Sequence, residues 1–170
     1  EFEYLASRDP LTGVVNRRAL LDACEAEARR LPRSGGRGMA LLMIDIDHFK
    51  QINDRYGHQQ GDAVLREAVQ RMQHAVGKAG LLGRYGGEEF ALLLPGAGPQ
   101  AALDHADRLR HAIGAPFAPD SPLQSIGPVS VSIGVVSVSA PSSVDALFAR
   151  ADAALYRAKA LGRDRVVMAA

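Results

Sequence analysis

Asp45 interrupts the apolar run "MALLMIDID", and Glu88 and Glu89 follow a glycine pair in "RYGGEEFALLLP". A charge inside an apolar strand is costly unless a cation or hydrogen-bond donors meet it. Two readings of Asp45 stand side by side. It is a strand-end acid near the next helix, with Asp47 as the better N-cap before His48-Phe49-Lys50. Alternatively it belongs to a cation site. If the first strand lies beside the strand that begins at Glu88, then Asp45 and Glu88 converge. With a backbone carbonyl they offer the oxygen donors that suit Mg²⁺, which usually also binds substrate phosphates. Glu88 and Glu89 are adjacent, so strand alternation sends them to opposite faces and they need not share a role. Both are also readable as solvated charges beside a turn. No G-x-x-x-x-G-K-[ST] occurs, so any phosphoryl transfer here works without a P-loop.

The elements that must position these residues follow from periodicity. Asn16 to Leu31 reads as a helix, followed by a loop at "PRSGGRG". Met39 to Asp47 has strand length. From Asp62 to Val76 the apolar residues form one helical stripe, with Asp62 as N-cap. Ala79 to Tyr85 and Glu88 to Leu94 flank Gly86-Gly87, a hairpin signal because glycine accepts positive φ. Gln100 to Ile113 is helical. "PVSVSIGVVSVS" alternates like a strand with one buried face. Ser143 to Leu161 is a helix stopped by Gly162, and Val166 to Met168 adds an edge strand. The order is βαββαβ with an extra leading helix and a trailing helix and strand. This predicts an α+β, ferredoxin-like domain with a central antiparallel-containing sheet surrounded by helices.

With 170 residues, 47% of them hydrophobic, the chain suits one domain with a sizeable core. A formal net charge of +1 gives no field that draws the whole domain to nucleic acid or to a membrane surface. Cys24 is the single cysteine, which excludes an internal disulfide and a cysteine zinc site. His48, His74, His105 and His111 fit no metal spacing.

Five ordered blocks carry a resemblance: "DPLTGVVNRR", "DIDHFKQINDRYGHQQGD", "RYGGEEF", "VSIGV" and "ADAALYRAKALGRDRV". Together they run from Asp9 to Val166 and resemble the GGDEF-domain diguanylate cyclases, in the GGEEF form. That resemblance implies a nucleotidyl cyclase and polymerase-palm type of fold. It also implies condensation of two GTP into cyclic di-GMP with release of two pyrophosphates. By the same resemblance Asp45, the carbonyl of Ile46 and Glu88 hold Mg²⁺ (or Mn²⁺), Glu89 helps with a second ion, and Glu88 helps activate the ribose 3′-hydroxyl. Asn53 and Asp62 match guanine-reading positions, and a carboxylate suits the N1–H and N2–H donors of that base. His58 matches a position near the substrate, although a histidine in a glycine-flanked turn is also readable as structural. Phe49 backbone and Lys50 reach phosphate. Lys159 and Arg163 lie four apart, share a face if the helix runs on through Gly162, and are placed on the triphosphate by the resemblance.

The resemblance further implies a homodimer for catalysis, a cytoplasmic location and an upstream sensor. Glu1 to Ser7 is then the end of a signalling helix or linker, and the cyclase domain spans residues 8–170. A GTP-binding regulatory domain with weak catalysis is the alternative. Asp164 stands where relatives often have asparagine, adding an acid near the phosphates.

Many relatives carry an R-x-x-D product-inhibition motif before the glycine pair. Here the tetrad is Gly77-Lys78-Ala79-Gly80, so neither member is present. Lysine lacks the planar fork of arginine and is no substitute. Cyclic di-GMP added to a turnover assay is therefore expected not to inhibit through this segment. Product bound at Gly77–Gly80 in a crystal would contradict that.

Overall fold

Five strands form one sheet. A computed structural model describes residues 6–31 and 37–170. The elements in chain order are α1 (Arg17–Arg30), β1 (Met39–Ile46), α2 (Phe49–Tyr56), α3 (His58–Val76), β2 (Leu81–Arg84), β3 (Glu89–Pro95), α4 (Pro99–Gly114), β4 (Val131–Val138), α5 (Val144–Ala160) and β5 (Val166–Met168). β1 is central and runs antiparallel to β3 and β4, β2 pairs antiparallel with β3, and β5 joins β4 in parallel. This is the ferredoxin-like βαββαβ order with the added α1, α5 and β5. Residues 1–5 of the proposed leading segment, and residues 32–36 of the loop before β1, lie outside the described residues. Ala6 and Ser7 accept hydrogen bonds from the Asn16 side chain and backbone, at 2.9 and 2.8 Å.

The sheet is covered on both sides, so β1 is buried at all eight positions rather than on alternate ones. Ala40, Leu42, Ile44 and Ile46 pack with residues of α2, α3 and α4, whereas Met39, Leu41 and Met43 pack with α1 and α5. By alternation Asp45 falls in the second row, at the end of the strand. β4 corrects the sequence reading in the same way: Val131 to Val136 are all buried, because helices cover both faces. Gly134 allows this closeness. A Cβ there would lie 2.2 Å from the Ala151 carbonyl oxygen and 2.4 Å from the Leu155 nitrogen, so α5 rests directly on the β4 backbone.

Three further boundaries differ from the sequence reading. α3 starts at His58, because Gly57 at φ +89 ends α2 and turns the chain into the next helix. Asp62 is therefore inside α3 and is not its N-cap. Asp47 does not cap α2 either. His48 occupies that position in a left-handed conformation without a side-chain cap bond, and both Asp47 oxygens are engaged elsewhere. The Gly86-Gly87 turn uses no positive φ, and a Cβ at either residue would meet nothing within 4 Å. Four residues, 85–88, separate β2 from β3, so the connection is wider than the two-residue turn that demands left-handed glycine.

Gly134→Ala is expected to destabilise the domain by about 3 kcal/mol, since the obstructing atoms are backbone and cannot swing aside. A urea melt checks it. An unchanged midpoint would mean that α5 and β4 separate easily.

Candidate active site

The β1–β3 register sets Asp45 opposite Glu89, and the β1–β4 register sets it opposite Ser132. The Ile46 amide donates to the Glu88 carbonyl at 3.3 Å, which holds the start of β3 against the end of β1. The Asp45 side chain is 6% exposed and forms an ion pair with the ammonium of Lys159. Burial pushes the Asp45 carboxyl up to about 6; Lys159 opposes that rise, while the negative charges of Glu88 and Glu89 add to it. The pair thus compensates only part of the desolvation. α5 delivers Lys159 because its close seat on Gly134 aims its last turn at the end of β1.

Around the pair lies a cleft of about 250 Å³ lined by residues 45–51 together with Glu88, Lys159 and Arg163. Asp45, Ile46, Phe49, Lys50, Glu88, Lys159 and Arg163 therefore meet in one place. Glu89 does not line it. It lines a neighbouring cavity with Arg17, Tyr85 and Asp152. Burial raises its pKa; Lys159 lowers it, Asp152 and Glu88 raise it, and Arg17 lowers it. Arg163 reaches the cleft although α5 ends at Ala160. Gly162 at φ +122 and Arg163 at φ +65 turn the chain back, so the two cations converge without sharing a helical face.

Asn53, His58 and Asp62 sit at the α2–α3 junction and do not line that cleft. A Cβ on Gly61 would lie 1.8 Å from the Asn53 side-chain oxygen, so glycine lets Asn53 stand against the start of α3, next to Asp62. His58 is the first, exposed residue of α3. Asp164 turns away from the phosphate-binding candidates: its carboxylate meets Arg110 of α4 at 3.2 Å. The acid that replaces asparagine is thus neutralised outside the cleft.

One contact escapes a reading of spacing alone. Arg84, just before the glycine pair, donates to the Gly86 and Gly87 carbonyls at 3.3 to 2.8 Å and to both oxygens of Asp9 at 3.2 Å. Asp9 also accepts from the Thr12 amide and hydroxyl. The "DPLTG" turn and the "RYGGEEF" turn are therefore one unit, with Arg84 as its centre. Both blocks were visible in the sequence, but their pairing spans 75 residues and no local pattern encodes it.

The family model for "Diguanylate cyclase, GGDEF domain" matches residues 6–165. The chain belongs to the GGDEF family. Diguanylate cyclase DgcP of Pseudomonas aeruginosa is 43% identical over 166 residues, which is 96% of this chain and 24% of that protein. Response regulator PleD of Caulobacter vibrioides is 41% identical over 165 residues, again 96% of this chain and 36% of that protein. The coiled coil and GGDEF domain of DgcB from Caulobacter crescentus, solved in complex with c-di-GMP, superposes with a TM-score of 0.91 at 31% identity, covering 99% of this chain and 88% of that one. This GGDEF domain spans about a quarter to a third of the length of those two curated relatives.

In the GGDEF domain described here, no helix among the described residues is long and apolar enough to cross a membrane. Nor do three carboxylate, imidazole or thiolate groups gather as a metal site among those residues. Of the three acids that line the cleft, Asp47 has both oxygens engaged by Ser130, Ser132 and the Asp164 amide, which leaves the Asp45 and Glu88 carboxylates and the Ile46 backbone as donors. Hard oxygen donors in that number fit a Mg²⁺ ion that takes its remaining ligands from phosphate and water. Lys159 already sets one positive charge on Asp45.

Burial raises the pKa of Asp9, but the Thr12 bonds and the Arg84 charge outweigh it, so the carboxyl titrates below its ordinary value of 3.8. A depressed folded-state pKa stabilises above the unfolded value, and that contribution disappears as pH falls through the folded value. Asp9→Asn is expected to cost about 1–2 kcal/mol at pH 7, the scale of a hydrogen bond to a charged group. The difference from wild type should shrink as pH is taken below 3.8 and through the lowered folded-state value. Equilibrium unfolding across that range checks it, and a gap that does not shrink in acid would contradict the assignment.

Proposed function

We propose that this domain binds GTP in the cleft at the carboxyl end of β1, and that two loaded copies facing each other form cyclic di-GMP. The observation that carries the reading is the meeting of Asp45, at the end of β1, and Glu88, in the turn before β3, with Lys159 and Arg163 in one cleft. That is a donor set for a divalent ion beside a cationic seat for a polyphosphate, in a member of the GGDEF family. Asp45, the Ile46 carbonyl and Glu88 would hold Mg²⁺ or Mn²⁺, with Glu89 the candidate for a second ion. A bound divalent ion would polarise the α-phosphate and lower the pKa of the attacking hydroxyl.

The chain's own residues supply the rest. Lys159 and Arg163 neutralise and orient the β- and γ-phosphates, and Arg163 suits bidentate contact. Lys50 and the backbone near Phe49 close the phosphate side. Asn53 and Asp62 read the guanine edge. A site built to accept from N1–H and N2–H rejects adenine, since its carboxylate would be left unpaired. His58 borders that site. The ribose 3′-oxygen of one GTP attacks the α-phosphorus of the other. The bond to the β-phosphate oxygen breaks and pyrophosphate leaves. Glu88 is the candidate group for activating the 3′-hydroxyl. The glycines beside Glu88 leave side-chain space empty, which suits close approach of the nucleotide.

Each domain holds one GTP, so both phosphodiester bonds require a two-fold pair. An upstream sensor in the longer protein would set that pairing, and residues 1–7 would be the connection.

Incubation of concentrated protein with GTP and Mg²⁺, read by product mass, tests the reading. Cyclic di-GMP with two pyrophosphates per product is expected, falling at least about a hundredfold in Glu88→Gln. GTP that binds but stays intact would favour the regulatory alternative. A product of one nucleotide would indicate a different cyclase.

A further inference from the structure

Asp47 is 5% exposed and is not among the groups assigned to metal or nucleotide above. Its Oδ2 accepts from the Ser130 hydroxyl at 2.6 Å and from the Asp164 amide at 3.1 Å, and its Oδ1 accepts from the Ser132 hydroxyl at 2.7 Å. Its own amide donates to the Ser130 carbonyl at 2.9 Å. Among the described residues, the non-glycine positions with left-handed φ are His48, Arg163 and Asp164, at φ 58, 65 and 47. All three surround this carboxylate. One follows it in sequence, one gives it a backbone hydrogen bond, and the third precedes that donor. Histidine and aspartate tolerate this conformation better than most residues, whereas arginine has no such preference. Such conformations persist only where the surroundings over-determine them, and they cluster at functional sites.

We infer that Asp47 is a positioning residue for GTP: its buried carboxylate holds the left-handed Arg163–Asp164 turn through the Asp164 amide, and so aims Arg163 into the cleft. The inference rests on the reading of the cleft as a GTP site. The turn is gripped on two sides. Asp47 takes its backbone, and Arg110 takes the Asp164 side chain at 3.2 Å. Behind it, Arg163 donates its amide to the Ala158 carbonyl at 3.0 Å, which ties the turn to the helix that carries Lys159. Ser130 and Ser132, at the start of β4, orient the carboxylate and leave an Oδ2 lone pair for the amide. No phosphate need touch Asp47 for its loss to loosen phosphate binding.

The test is steady-state turnover, and binding of a GTP analogue with an α,β-methylene bridge, by wild type, D47A, D47N, R163A and D47A/R163A, each with its melting curve. D47A is expected to raise KM and the analogue Kd about tenfold, the scale of one charge-assisted hydrogen bond, with kcat changed less than about threefold. D47N should stay within about threefold of wild type, because its oxygen can accept from the Asp164 amide while its NH₂ donates to Ser132. In the R163A background, D47A should add less than about twofold, since the residue it positions is gone. A folded D47A with wild-type KM, a D47N as impaired as D47A, or an undiminished D47A loss beside R163A would overturn the inference. Amide hydrogen exchange on wild type decides it even if D47A does not fold. The Asp164 amide should be protected within an otherwise exposed turn, and exchange as fast as that of exposed amides would overturn it. Failure of wild type to bind GTP counts against the proposed function, whereas the amide reports on the clamp alone.

Discussion

A carboxylate buried at the end of a central strand constrains everything around it. Asp45 has given up most of its water, and desolvation outweighs even a direct ammonium partner in setting its protonation. A site under that constraint needs positive charge delivered accurately. Much of the architecture serves delivery. Gly134 lets α5 lie on the sheet, the last turn of α5 then reaches Asp45 with Lys159, and a left-handed reversal adds Arg163. On the proposed reading, this Asp45–Lys159 contact is the one exchanged for a divalent ion bearing a polyphosphate.

The sheet solves the opposite problem, of bringing acidic groups together without letting them repel the fold apart. β1 contributes Asp45 to the cleft and the turn before β3 contributes Glu88, whereas Glu89, the first residue of β3, lines the neighbouring cavity, where Arg17 offsets part of its charge. There the Arg17 guanidinium lies 4.2 Å from the centre of the Tyr85 ring, which stacks on Phe148 at 5.2 Å. The turn between β2 and β3 is thus held from both sides: Arg84 binds its carbonyls and Asp9, and Tyr85 is sandwiched between α1 and α5. Strands, turn and helix ends form one frame, and the reactive groups sit where its members meet.

Most of this frame was legible in the sequence. Strand-length apolar runs, the α5 stripe from Val144 to Ala158 and the glycine stops gave the element order, because hydrophobic periodicity is a local property. The joining of Asp45 and Glu88 required only that β1 neighbour β3. What sequence could not supply was which of several plausible local partners wins. Asp47 and Asp62 both look like N-caps, yet Asp47 spends its oxygens on serines more than 80 residues away and Asp62 lies a turn inside its helix. Gly86 and Gly87 look like a left-handed hairpin, yet the turn is wider and arginine-braced. Alternation in β4 suggested a solvated face that α5 in fact covers. Each departure is a long-range contact overriding a sound local preference.

The proposed chemistry requires Asp45 as the anionic centre of a cation site shared with Glu88. Crystals grown with Mn²⁺ and a non-hydrolysable GTP analogue test that directly, since anomalous scattering locates the ion independently of the refined ligand. The ion should lie within ligating distance of the Asp45 and Glu88 carboxylates and of a phosphate oxygen, with Lys159 moved from Asp45 onto the polyphosphate. Manganese bound away from Asp45, with the Asp45–Lys159 pair intact beside a bound nucleotide, would contradict the account.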